Sequence, residues 1–276
     1  MLPLENWPLD QRYKIVGVFT DIDDTLTTDG AITADALHAL AALKNAGLHV
    51  IPITGRPVGW SEPFAKTWPV DAIVAENGSV ALLKDNHPKI PCEYDDTSLL
   101  KIYTQNYILR SNNYSKMQAV TARILQELPQ ACASKDSPGR ETDIAFDHSE
   151  FHHLDQASID RVVQIMQQEG MNATVSSIHI NGWFGDHNKL QGAHWIVREL
   201  FDRDLNLEMD RWVYVGDSTN DQLMFAAFAN SFGVANIARF VPQLSSLPSY
   251  ITAQQRGAGF AEITRALLAH KRLAQR

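Results

Sequence analysis

Cysteine is nearly absent: the 276 residues hold two, Cys92 and Cys132, which cannot make a disulfide framework and have neither the partners nor the spacing of a zinc site. They read as cytosolic thiols. Glycine and proline, 15 and 12 residues, are too few for a collagen-like or low-complexity chain. No apolar run approaches the roughly 18 residues of a membrane span. The stretch from Met1 to Asp10 carries Glu5, Asp10 and two prolines, and it lacks the apolar centre of a secretory leader. Cations are outnumbered, 24 Lys and Arg against 32 Asp and Glu for a formal net charge of −8. Nucleic acid and anionic membrane are therefore disfavoured as partners, and a phosphorylated ligand would need a local cation or a metal. What is present, 45% hydrophobic and 20% charged residues, is the composition of an ordinary soluble globular protein with room for two domains. A cytoplasmic protein is expected.

Along the chain, short apolar runs alternate with helical spacing. Lys14 to Phe19 is a β-rich run that stops at Thr20-Asp21, as a strand buried on both faces would. Between Thr33 and Leu48, Ala36, Leu37, Leu40, Leu43 and Leu48 recur at roughly helical spacing, with Thr33 as N-cap and Gly47 as stop. His49 to Ile53 and Ala72 to Ala75 are further strands, so the chain opens as a βαβ unit. After Gly78 the texture changes. Ser79 to Leu83 and Ile90 to Tyr94 read as short strands around a polar turn at Asp85 to Pro88, and two helical stretches follow within Ser98 to Leu128. Alternation at Thr142 to His148 and Ala173 to Ile180, with a helix at Ile159 to Gln168, predicts a small α+β sheet. The first texture resumes with a helix from about Leu190 to Phe201, the run Trp212 to Val215, a helix from about Asp221, a strand at Ser231 to Val234 and a helix from Ala261 to Leu273. The chain is thus divided into a core of residues 1–83 and 185–276 and an inserted unit, 84–184.

Three predicted strands end in polar clusters: Thr20 to Thr25, Ile53 to Arg56, and Gly216 to Asp221. Ligands of open parallel sheets sit outside those strand ends, so three distant stretches converge on one site. Asp21-x-Asp23 by itself could be a solvated acidic turn. A calcium loop fails on register, because Leu26 and Ile32 stand where the EF-hand needs Gly and Glu. Carboxylates gathered at buried strand ends repel one another, and a hard cation such as Mg²⁺ relieves that. A phosphoryl group would then find a hydroxyl and backbone N–H groups at Thr54-Gly55 and a cation at Lys189. Taken singly, Thr54 could equally cap a helix and Lys189 could be an exposed helix residue.

Together these residues resemble the haloacid dehalogenase-like hydrolases over both ends of the chain. Asp21-Ile22-Asp23-Asp24-Thr25-Leu26-Thr27 is similar to that family's first motif, Ile53-Thr54-Gly55-Arg56-Pro57 to its second, Lys189 to its third and Gly216-Asp217-Ser218-Thr219-Asn220-Asp221 to its fourth. Glu76-Asn77-Gly78 and the insert of about a hundred residues resemble subfamily IIB, with its large α/β cap and its sugar-phosphate phosphatases. The chain departs at Asp24, where Gly is usual and which is expected to point away, and at Leu190, which follows Lys189 in place of Gly.

The resemblance implies an α/β fold, a Rossmann-like parallel-sheet core with an inserted α+β cap, and Mg²⁺-dependent hydrolysis of a small phosphate monoester, a sugar phosphate above all. Asp21 would be the nucleophile that forms an aspartyl phosphate, and Asp23 the acid and then the base. Metal would be held by Asp21, Asp217 and the Asp23 main-chain carbonyl. Phosphate would be bound by Thr54, Gly55, Lys189 and Asn220, with Asn220 and Asp221 orienting phosphate or metal-bound water. Over this site the cap would present Arg140, Asp143, His148, His179, Asn181 and Trp183 to the leaving group, although Trp183 could equally pack cap to core. The histidines of the cap and its exit match no ligand spacing for a second metal. A phosphosugar mutase would keep the same first-step residues, whereas a non-catalytic metabolite sensor would show loss of Asp21 or Asp23, and both are present.

Overall fold

The computed structural model describes residues 1–84 and 99–269. The turn read at Asp85 to Pro88, the strand read at Ile90 to Tyr94, Cys92 and the last residues read into the carboxyl-terminal helix lie outside them.

Short apolar runs form a six-stranded sheet in which all neighbours are parallel. Its spatial order is Leu2–Pro3, Tyr250–Ile251, Asn230–Gly233, Trp212–Gly216, Gly17–Thr20, His49–Pro52. Successive side chains serve opposite faces. Val18, Val50, Val213 and Val215 pack with Ala36, Leu40 and Leu43 of the helix Ala34–Asn45 and with Phe260 and Leu267 of the helix Arg256–Leu268. On the other face, Phe19, Ile51, Trp212 and Tyr214 pack with Ala193, Ile196 and Leu200 of the helix Lys189–Phe201. Helices therefore cover both faces, and strands buried on both sides show unbroken apolar runs. From Gly17–Thr20 the chain passes to His49–Pro52 on one side, while Trp212–Gly216 occupies the other. Strand order reverses between these two central strands, which leaves a crevice outside their carboxyl ends.

Val80–Lys84 pairs antiparallel with Ile73–Ala75 and with Leu99–Tyr103, and a parallel bridge between Ile53 and Val74 ties this small sheet to the large one. Residues 99–103 pack on both core clusters, so the boundary expected at residue 84 falls inside a core hairpin. The two helical stretches read within Ser98 to Leu128 are this strand and one helix, Tyr107–Glu127. The half-buried run Leu99-Leu100-Lys101-Ile102-Tyr103 packs apolar side chains on both core clusters, and so short a run has no period that separates strand from helix.

The insert carries an antiparallel sheet in the order Asn172–Val175, His179–Trp183, Ile144–Asp147, Cys132–Ala133. The helices Tyr107–Glu127 and Gln156–Gln168 cover one face through Met117, Ile124, Phe146, Val162, Ile165 and Ile180. Asp147 pairs with His179 and Ala145 with Asn181, so these side chains share the opposite face, which is turned toward the crevice. The architecture is the expected one, an α/β parallel-sheet core with an α+β insert. Among the described residues, no helix is long and apolar enough to cross a membrane.

Candidate active site

The crevice is built from the ends of three neighbouring strands. The Asp21 N–H donates to the Val215 carbonyl at 2.8 Å and the Ile53 N–H to the Thr20 carbonyl at 2.8 Å, so the sheet ladder continues into the first residues of each polar cluster. Asp21, Asp217 and Thr54 are thereby held side by side at the sheet edge.

Lys189 reaches them from the start of its helix, a place where the positive end of the helix dipole disfavours a cation. Its Nζ lies 2.9 Å from Asp21 Oδ2 and 2.6 Å from Asp221 Oδ1, and these carboxylates outweigh the dipole. Burial alone would lower the Lys189 ammonium, but Asp21 and Asp221 hold it above its ordinary value. The helix seats this deeply because it crosses the loop after Ala75 through two glycines. A Cβ on Gly192 would stand 2.6 Å from the Gly78 Cα, and Gly78 itself has φ +104°.

Asp221 braces the turn. One of its oxygens accepts the N–H groups of Asp217 at 2.9 Å and Ser218 at 3.1 Å, and the other accepts Lys189 and the Tyr214 hydroxyl. With four donors on two oxygens it has no acceptor site to spare. Asp217 is the opposite case. It is fully buried, yet among the described residues it receives only the Asn236 amide at 3.1 Å and the Thr25 hydroxyl at 3.5 Å, with Arg239 Nη2 at 3.7 Å. Burial pushes its carboxyl well above the usual range, and Asp221, Asp21 and Asp24 push it further. Burial likewise pushes the Asp21 carboxyl up to about 7, with Lys189 opposing and Asp221 and Asp23 adding. The ligand atoms of Asp21, Asp217 and Asp221 lie within 4.8 Å of one another. Three buried carboxylates against one ammonium leave a deficit of positive charge, and the oxygens of Asp21 and Asp217, which unlike those of Asp221 are not fully taken up, fit a divalent cation.

Asp23 stands above the crevice in the fork of Arg56, whose Nε lies 3.0 and 2.9 Å from its two oxygens. Arg56 also meets two carboxylates of the insert, Glu150 at 2.6 Å and Asp136 at 3.2 Å. Asp147 accepts the N–H groups of Ser149, Glu150 and Phe151, which shapes the loop that presents Glu150. His179 Nε2 lies 2.9 Å from Glu150. Burial would raise the Glu150 carboxyl, but His179 and Arg56 hold it at about 2. A cavity of about 390 Å³ opens here, lined among others by Asp23, Arg56, Glu150, Ser177 and Arg239. Asp24, at φ +54°, occupies a left-handed position that explains why Gly would suit it. Its carboxylate turns outward to Arg239 at 2.7 Å and Arg256 at 3.2 Å.

The Thr54 Oγ1 accepts the Arg56 N–H at 3.0 Å, which leaves its own proton to donate. Asn220 accepts the Ser218 hydroxyl at 2.9 Å. Of the insert residues expected over the site, Arg140 and Asn181 reach the Gly55 carbonyl at 3.0 and 3.3 Å, Asp143 is fully buried between them, and His179 reaches Glu150. His148 and Trp183 are not brought to the crevice. The His148 ring is spent on the Ser176 carbonyl at 3.0 Å, in a separate groove with Gln156 and Ile159. Trp183 is buried, stacks on His187 and donates its indole N–H to the His187 carbonyl at 2.8 Å. Sequence reasoning missed Asn236, Glu150 and Asp136. Asn236 follows the strand Asn230–Gly233, so the rule that sites lie beyond strand ends could have found it; no local pattern marks the two acids.

Residues 18–103 match the family model described as haloacid dehalogenase-like hydrolase, a segment that contains Asp21, Asp23 and Thr54 but neither Lys189 nor Asp217. The chain is 26% identical over 285 residues to a Streptococcus pyogenes serotype M6 protein named "Putative phosphatase M6_Spy0533", covering 91% of this chain and 97% of that one. Its fold is similar to that of a Thermoplasma acidophilum protein (TM-score 0.67, 17% identity, 92% of this chain and 98% of that chain). It is similar also to the sucrose-phosphatase of Synechocystis solved with sucrose and phosphate (TM-score 0.63, 15% identity, 92% and 97%). A third fold relative is the subclass IIB sugar phosphatase BT4131 (TM-score 0.61, 14% identity, 92% and 98%). Residues 18–103 are thus similar to the haloacid dehalogenase-like hydrolases, and the chain as a whole is similar to a putative phosphatase in sequence and to sugar phosphatases in fold.

Proposed function

We propose that this phosphatase hydrolyses a small phosphate monoester, a sugar phosphate, with Mg²⁺ and through an aspartyl phosphate on Asp21. The observation that carries this reading is the placement of Asp21 against Lys189 at 2.9 Å, beside an under-neutralised Asp217. Asp21, Asp217 and the Asp23 main-chain carbonyl would hold the metal, which when bound supplies positive charge to the phosphoryl oxygens. Thr54, the Gly55 N–H and Lys189 bind and orient the phosphoryl group, and Asn220 lies at the same rim. The Asp21 carboxylate attacks phosphorus as the bond to the leaving alkoxide breaks, and Asp23 gives that alkoxide its proton. Asp23, now ionised, takes a proton from the water that releases phosphate and regenerates Asp21. Before the first step Asp23 must leave the Arg56 fork, and Glu150 and Asp136 already offer the guanidinium another seat. The cap runs from about residue 104 to 187 and supplies the leaving-group surface through Glu150, His179 and Ser177.

The test is a phosphate-release screen over sugar phosphates, nucleotides and pyridoxal phosphate with Mg²⁺, in which sugar phosphates are expected to rank first. Isomerised sugar phosphate in place of inorganic phosphate, on addition of a bisphosphorylated activator, would make the enzyme a mutase. Asp23→Asn should lower kcat/KM, which reports formation of the aspartyl phosphate, by about a thousandfold on sugar esters and much less on nitrophenyl phosphate, since nitrophenolate leaves without a proton. Equal losses would remove the acid role.

The acidic cluster also sets a pH dependence. Asp21 and Asp217 are harder to ionise in the folded protein than in the unfolded chain. Their raised values favour the folded state at acid pH; the Asp21 contribution is lost as pH rises from about 4 through about 7, and Asp217 acts in the same direction. Metal-free protein should therefore melt lower at about pH 8 than at about pH 6, and Mg²⁺ should raise the melting temperature more at the higher pH. Equal Mg²⁺ shifts at both would separate the metal from these carboxylates.

A further inference from the structure

The loop Thr54-Gly55-Arg56 is held by its carbonyls from two sides. The Thr54 carbonyl accepts the Asn77 N–H at 2.9 Å, and because the peptide is trans this turns the Gly55 N–H the opposite way. The Gly55 carbonyl accepts from Arg140 Nη1 at 3.0 Å and from Asn181 Nδ2 at 3.3 Å. Both donors come from the cap, and they are 5% and 1% exposed. Asp143, 1% exposed, aims them. One of its oxygens accepts Arg140 at 2.7 Å, and the other accepts Asn181 at 3.0 Å and the Asn77 side chain at 3.3 Å. A single cap carboxylate thus ties together both donors to Gly55 and the core residue whose N–H fixes Thr54. There is little slack around the peptide, since a Cβ on Gly55 would meet the Asn77 and Asn181 side-chain oxygens at 3.3 and 3.4 Å.

We propose that Arg140, Asp143 and Asn181 are positioning residues that fix the Thr54-Gly55-Arg56 backbone for phosphate when the cap is closed, and do not read the leaving group. The inference rests on the assignment of Thr54-Gly55 as the phosphate-binding loop. An exposed peptide rotates at little cost, whereas one whose carbonyl is held by two buried donors presents its N–H groups without reorganisation. Lifting the cap removes both donors, so the loop loses its orientation and phosphate affinity falls. By linkage, bound phosphate favours the closed cap to the same extent. Every phosphate ester closes the cap through this contact, and discrimination among sugars is left to the Glu150 side of the cavity.

Asn181→Ala removes one donor, and Arg140→Lys keeps a charge but cannot reach Gly55, Asp143 and Asp136 at once. Both are made in the full-length protein with Mg²⁺. Inorganic phosphate binding is read by thermal-shift titration, and kcat/KM is measured on nitrophenyl phosphate and a set of sugar phosphates. Each variant should bind inorganic phosphate about tenfold more weakly and lose kcat/KM by a similar factor on every ester, with the sugar ranking unchanged. An altered ranking with unchanged phosphate affinity would place these side chains on the leaving group and overturn the proposal. A lowered melting temperature with unchanged phosphate affinity and kcat/KM would make them structural and overturn it as well. Wild-type protein that binds phosphate but hydrolyses no ester would remove the phosphatase reading while the affinity comparison still stands; wild-type protein that binds no phosphate would overturn both.

Discussion

Asp21→Asn is expected to yield a folded protein with no measurable turnover. The amide has nearly the volume of the carboxyl but is a poor nucleophile, and the loss should be at least about ten-thousandfold. Stability should hold, because burial already pushes the Asp21 carboxyl up to about 7, so a neutral group at this place relieves repulsion from Asp221 and Asp217. Above about pH 7 the metal-free variant should melt at or above the wild-type temperature. Rates on nitrophenyl phosphate and melting curves check both halves. Retention of a tenth of the wild-type rate, with contamination excluded, would mean that Asp21 is not the nucleophile.

Lys189→Met is expected to damage both stability and activity. It removes the ammonium that lies 2.9 Å from Asp21 and 2.6 Å from Asp221, and strands those buried carboxylates beside Asp217. Removing one partner of a buried pair costs about 3–5 kcal/mol, which for a chain of this size lowers the melting temperature by roughly 10 °C. The loss should shrink at about pH 5, where Asp21, whose carboxyl burial already pushes up to about 7, takes up a proton. A variant as stable as the wild type at about pH 8 would show that Lys189 does not neutralise the cluster. Mg²⁺ should restore part of the stability but not the rate, because the cation that orients the phosphoryl group is gone.

The core was legible because its signals are local. Lys14 to Phe19 and Trp212 to Val215 are short apolar runs that stop at acidic residues, and the strand-end rule converts three such stops into one site without knowledge of the contacts. Lys189 needed the fold as well, since its reach depends on the Gly78 and Gly192 approach, a contact between residues far apart in sequence. The strand Leu99–Tyr103 was misread because apolar residues on both of its faces, packed on two core clusters, erase its period. The cap partners of Arg56 were not legible at all. Glu150 owes its place to Asp147 shaping a loop and to the register that sets His179 beside it, and neither leaves a pattern in composition. Trp183 was drawn toward the site by its residue type, but the His187 carbonyl and ring satisfy it inside the cap exit.

The central claim is that the carboxylate of Asp21 carries the phosphoryl group between ester and water. Rapid acid quench of the enzyme turning over a phosphate ester with Mg²⁺, followed by peptide mass spectrometry, tests it most directly, because an acyl phosphate survives acid long enough to be mapped. A phosphoryl adduct is expected on the peptide containing Asp21. With nitrophenyl phosphate, whose first step needs no acid, it should accumulate in Asp23→Asn, which lacks the base for the second step, and it should be absent from Asp21→Asn. Steady turnover with an adduct on another residue, or an Asp21→Asn protein that still forms one, would contradict the assignment.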